Sequence, residues 1–99
     1  MSFTKRYLII SKKNPDSEYD SIEHFWQEHQ VESEKSIEFN NRFRAENKLL
    51  EQTHTLSTDG KGIIVEKVWA DEETYNTCIA ESKPVTDGSL LQACNVIEL

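Results

Sequence analysis

The sequence predicts an α+β domain ordered β-α-β-β-α-β, and three stretches carry that prediction. RYLIIS, residues 6–11, is a short apolar run rich in β-branched side chains. SIEHFWQEH, residues 21–29, repeats its large apolar residues at helical spacing. KLLEQTHTLSTDGKGIIVEKVWA, residues 48–70, contains two extended runs on either side of Asp59-Gly60. At 99 residues, with 36% hydrophobic and 29% charged side chains, a single soluble domain spanning residues 1–99 is expected.

The first run is bounded by charges and then by KKNPDS, so it reads as a buried strand followed by a loop. Asp20 with Glu23 three residues later fits a capping box at the start of a helix. Ile22, Phe25, Trp26 and His29 then fall at i, i+3, i+4 and i+7, one stripe of that helix. The stripe continues weakly through Ser33, Ser36 and Ile37. IEFNNRF, with Asn40 and Asn41 as stop residues, reads either as a second helical segment or as an irregular approach to the next strand.

Asp59-Gly60 between two strands favours a two-residue type I′ turn, because both central residues need positive φ. Alternation puts Leu50, His54 and Leu56 on one face of the first hairpin strand. In the second, Ile63, Val65 and Trp69 share one face and Ile64 and Val68 the other. Apolar side chains on both faces mark a central strand covered on both sides. Asp71 opens a further helix with Glu72 and Glu73 in its first turn, where the helix dipole favours them. Tyr75, Cys78 and Ile79 form its buried stripe, and ESKPVTDG ends it. SLLQACNVIEL closes the chain as a strand, or as a short helix at residues 90–93 followed by one.

This order is the ferredoxin-like pattern, a four-stranded antiparallel sheet with two helices on one face. The other face must also be covered, and in so short a chain a second copy is the simplest cover. A homodimer is therefore expected.

Eighteen acidic against eleven basic residues give a net charge of −7, which disfavours nucleic acid and anionic membrane surfaces as partners. The apolar run near the start, residues 7–10, is too short for a signal peptide, and nothing approaches a membrane span. Cys78 and Cys94 lack metal-ligand spacing and read as reduced thiols, consistent with a cytoplasmic location.

FWQEH on the first helix, VEKVWADEETYNTCIAES at residues 65–82, and the element order together resemble the dimeric α/β-barrel superfamily. That superfamily includes the antibiotic-biosynthesis monooxygenase-like and EthD-like domains. In the second of these stretches a strand ends in an aromatic residue, an acidic cap follows, and the next helix carries another aromatic. The resemblance implies that the sheets of two subunits close into one barrel, each subunit keeping a cleft between sheet and helices. Members include cofactor-free monooxygenases, cyclases, decarboxylases, haem-degrading enzymes and proteins without known activity, so fold does not choose among functions.

Candidate catalytic residues are His29 and His54. Histidine titrates near neutrality and serves as a general acid or base. His29 lies on the apolar stripe, where a hydrogen-bonded histidine at the core edge is the simpler account. His54 shares a cavity with His29 if its face meets the helices, and is structural if that face meets a partner; a one-residue register slip exchanges the two. Trp26, Tyr75, Trp69 and Phe25, together with Tyr7, are the aromatics that line a pocket for a planar ligand or simply fill a small core. Asn40, Asn41, Arg42, Arg44 and Asn47 suit an anion or polar group, or a solvated helix end. His24 and His29 are five apart, off the spacing of a zinc-binding helix, so no metal is expected.

The function expected is binding or transformation of a small, mostly apolar organic molecule without metal or organic cofactor, as in the cofactor-free monooxygenase and cyclase enzymes. His29 would transfer the proton, His54 would orient the substrate or second the base, and Trp26 and Tyr75 would shape the pocket. The alternative is a structural or assembly scaffold whose cleft is filled by Phe25, Trp26, Leu50 and Trp69. Haem binding ranks behind both, because neither His29 nor His54 has a motif for axial ligation.

Overall fold

A computed structural model describes residues 1–29, 34–86 and 93–99. The elements are β1 (Phe3–Ser11), α1 (Ile22–Glu28), α2 (Glu34–Ala45), β2 (Leu49–Leu56), β3 (Gly62–Trp69), α3 (Glu72–Thr86) and β4 (Cys94–Glu98). The strands form one antiparallel sheet in the order β2-β3-β1-β4, with β1 and β3 at its centre. The class is α+β as expected, with three helices in place of two. No helix among the described residues is long and apolar enough to cross a membrane.

The extra helix arises where the apolar stripe weakens. Backbone at His29 leaves helical geometry (φ −133°, ψ 127°), and α2 begins at Glu34; Ser33 lies outside the described residues. The two helices bury different anchors. Phe25 of α1 enters one apolar cluster with Ile9, Tyr19, Ile63, Val65 and Cys94, whereas Phe43 of α2 enters another with Leu49, Trp69 and Cys78. A single straight helix would present one stripe to both.

Several local expectations are corrected. Ser21, not Asp20, caps α1: its backbone is extended and its Oγ accepts from the His24 N–H at 3.1 Å. Asn47, rather than Asn40 or Asn41, ends α2. It takes φ 57°, and the Asn47 and Lys48 N–H groups donate to the Arg44 and Phe43 carbonyls, a Schellman closure with asparagine in the left-handed position. The hairpin loop is longer than a type I′ turn. Ser57 N–H donates to the Gly62 carbonyl, enclosing residues 58–61, and only Gly60 has positive φ (73°). Asp59 instead accepts from Ser57 Oγ and the Lys61 N–H, which stabilises the tighter loop from within.

A bulge between Leu49 and Glu51 decides which leucine of β2 is buried. It inserts Leu50 as the extra residue, so Leu49 pairs with Trp69 and is buried while Leu50 is 49% exposed. Beyond the bulge the expected alternation holds, with His54 opposite Val65 and Leu56 opposite Ile63. Asp71 caps α3 through the Thr74 N–H at 2.7 Å, as predicted. That helix runs through Pro84 to Thr86 instead of stopping at ESKP; a proline this close to the end removes little of the hydrogen-bond ladder. The possible helix at residues 90–93 falls largely outside the described residues. Cys78 and Cys94 are free and buried, and burial pushes both thiols up.

Candidate functional site

The helix-facing side of the sheet can be read rank by rank from the register. One end is apolar: Phe3, Trp69 and Leu49 stand side by side on β1, β3 and β2. The other end is apolar too, with Ile9, Ile63, Leu56 and Val96 in a row. Between them the ranks turn polar. Lys5 lies opposite Lys67, and Lys67 opposite Gln52. The next rank sets Tyr7 beside Val65, His54 and Glu98. These polar residues occupy the middle of a face whose ends are core, and Lys5, Tyr7, Gln52, His54 and Lys67 are all partly buried.

Specific contacts shape this band. The Tyr7 and Tyr75 hydroxyls lie 3.1 Å apart, so one donates to the other. Lys5 forms an ion pair with Glu98, and its ammonium sits 5.4 Å from the Tyr75 ring centre and 5.7 Å from that of Phe3. That hydrogen bond to Glu98 raises the Lys5 pKa. Arg44 at the end of α2 donates to the Gln52 side-chain carbonyl at 2.8 Å and to Asn41 at 2.6 Å. His54 meets Trp26 edge to face, ring centres 5.2 Å apart, and its Nε2 is buried.

The six residues expected at the site are therefore split. His54, Trp26 and Tyr75 border the polar band. Trp26 is 42% exposed, so it forms a wall rather than a core. Phe25 and Trp69 are fully buried, one in each apolar cluster, and Trp69 packs against Phe43 and Tyr75. His29 stands at the C-cap of α1, against Phe25 (4.9 Å) and Tyr19. Its Nε2 lies 3.2 Å from the Tyr19 hydroxyl, which donates to Glu28 at 3.0 Å. Such a carboxylate–phenol–imidazole chain holds the His29 ring in one orientation and leaves Nε2–H to donate to the phenol oxygen. His24 pairs loosely with Glu28 at 3.8 Å. Arg42 bridges to Glu81 and so ties α2 to α3.

Lys5, Lys67 and Gln52 escaped sequence reasoning. The signal was present as parity: Lys5 and Tyr7 alternate with Phe3 and Ile9, and Lys67 stands between Val65 and Trp69. A lysine inside an apolar alternation is easily taken for a frayed pattern instead of an inward-facing charge. Tyr19 escaped as well, because it sits in the loop before α1, outside any periodic segment.

Burial and then the bond to Glu28 push the Tyr19 phenol up to about 12, and burial followed by the Tyr75 contact raises Tyr7 as well. Their ordinary value is 10.0. Since the folded values are raised, the unfolded chain loses these protons first. The stability they contribute is complete below pH 10 and is lost as pH rises through about 12. Between those limits, phenolate absorbance of the native protein should remain well below that of the urea-unfolded chain. Equal absorbance would contradict the burial of both hydroxyls.

No family model, curated protein or solved structure matches the chain. Among the described residues no group of three His, Cys, Asp or Glu side chains is placed to hold a metal ion. The opposite face of the sheet carries a shallow concavity of about 390 Å³ lined by Leu8, Ile10, Ile64 and Leu99 with the 57–59 loop and Gly62. It contains no titratable pair suited to chemistry. At its floor, a Cβ on Gly62 would run into the Ile9 carbonyl, so glycine permits the close approach of β1 and β3.

Proposed function

We propose that this chain is a ferredoxin-like, homodimeric domain of the α/β-barrel kind that holds a small, mostly apolar organic molecule between its sheet and its helices. One observation carries the reading: the polar band of Lys5, Tyr7, Gln52, His54 and Lys67 lies between two apolar clusters on the helix-facing side. Burying polar groups is costly unless they are used, and a small core built only for stability fills such positions with apolar side chains. The antiparallel sheet order β2-β3-β1-β4 is compatible with the ferredoxin-like arrangement and supports the same reading. In an enzymatic form, His54 faces the bound molecule, Trp26 stacks on it, and the Tyr7–Tyr75 pair supplies a hydroxyl donor. His29, oriented by Tyr19, then acts from the rim as the proton carrier.

A scaffold without chemistry has a specific observation in its favour, because Phe25 and Trp69 are wholly occupied in packing. The two readings separate in a binding titration. Naphthalene derivatives, neutral and acidic, should quench fluorescence from the exposed Trp26 in a saturable manner. His54→Ala should weaken that binding about tenfold, the equivalent of one lost contact of about 1.4 kcal/mol, with little change in the unfolding midpoint. Absence of saturable binding by every member of the set would leave the scaffold reading in possession.

A further inference from the structure

The polar band also indicates the chemical class of the ligand, an inference that rests on the binding reading above. Lys5 and Lys67 are direct cross-strand partners on the helix-facing side of the two central strands. Like charges in that relation destabilise a sheet, and the sequence, with 18 acidic residues, had ample means to avoid it. The lysine side chains are not at the rim. Lys5 is 19% exposed and Lys67 is also half-buried.

Beside them, the Tyr7–Tyr75 pair completes a donor set. When one of two hydroxyls 3.1 Å apart donates to the other, the second retains a proton to give elsewhere. The phenols stay protonated, so they act as donors and not as competing anions. Glu98, 58% exposed at the sheet's edge strand, shows what the lysine end of the band takes: it places a carboxylate on Lys5. Across the band, Trp26 and His54 offer aromatic surfaces at right angles to one another. Ammonium groups and a phenol at one end, with aromatic walls at the other, suit a molecule with one anionic head and a flat apolar body.

We infer that the ligand is an aromatic carboxylate, its carboxylate held by Lys5, Lys67 and the Tyr7–Tyr75 hydroxyls and its ring against Trp26 and His54. The test compares 1-naphthoate with 1-naphthamide, which has nearly the same shape and no charge, by calorimetry on the full chain. The acid should bind at least tenfold more tightly than the amide. Its affinity should fall with added salt. Lys67→Met should abolish the preference, and Lys67→Arg should restore most of it. Equal binding of acid and amide, or a preference unchanged in Lys67→Met, overturns the inference while leaving the binding reading intact. If neither compound binds, both fall. Far-ultraviolet circular dichroism of each variant separates loss of the fold from loss of the charge.

Discussion

Phe25→Ala should destabilise the domain by about 3–5 kcal/mol, the usual cost of removing a fully buried phenylalanine. Phe25 has no exposed surface and is packed among Ile9, Ile63, Val65 and Cys94, with the Tyr19 and His29 rings each 4.9 Å from its own. Domains of this size have about 5–15 kcal/mol in total, so the variant should keep only a part of its stability and unfold at far lower denaturant. The neighbouring Trp26→Ala provides the control. With Trp26 42% exposed, its removal should cost below about 1 kcal/mol, near the average of ordinary substitutions. Equilibrium urea unfolding of both variants checks the pair. Comparable losses would mean that Trp26 belongs to the core and that the aromatic wall of the proposed site does not exist.

Ile64→Asp should convert a dimer into a monomer. Leu8, Ile10 and Ile64 lie on the sheet face opposite the helices, and Ile97 on the edge strand is 46% exposed. Helices cover only the other side, so a sheet with apolar residues on this one needs a partner surface. An isologous pairing brings each Ile64 near its symmetry mate's surface, where an unpaired carboxylate costs several kcal/mol to bury. Three kcal/mol corresponds to about a hundredfold weaker association. Light scattering on the eluting protein at micromolar concentration should give twice the chain mass, 11.5 kDa, for the wild type and the single mass for the variant. A monomeric wild type would refute the dimer outright. Ligand binding on the helix side can be measured in either state, so this result is independent of the carboxylate preference.

How far each element could be read in advance depended on whether its cause is local. RYLIIS, the stripe from Ile22 to His29 and the two runs flanking Asp59-Gly60 are periodic patterns. Periodicity follows from backbone geometry that does not depend on neighbours, so the class and the strands were legible. The Asp71 cap was legible for the same reason: its carboxylate bonds a backbone N–H three residues on. Ser21 was missed beside Asp20 because two competent capping residues stood together and only the extended backbone at Ser21 chose between them.

The site was a different matter. Phe25 and Trp26 are adjacent and chemically alike, yet one is wholly buried and the other is an open wall. One bulge moved Leu49 inward and Leu50 outward, a choice made by pairing with β3 and not by either leucine. By itself, the sequence determined an acidic α+β domain with a central apolar hairpin, because composition and alternation are properties of the chain alone. The tertiary structure alone decided that Lys5, Lys67, Tyr7 and His54 stand together between two cores. They come from three strands, and only the register of a folded sheet brings residues so distant along the chain into neighbouring ranks.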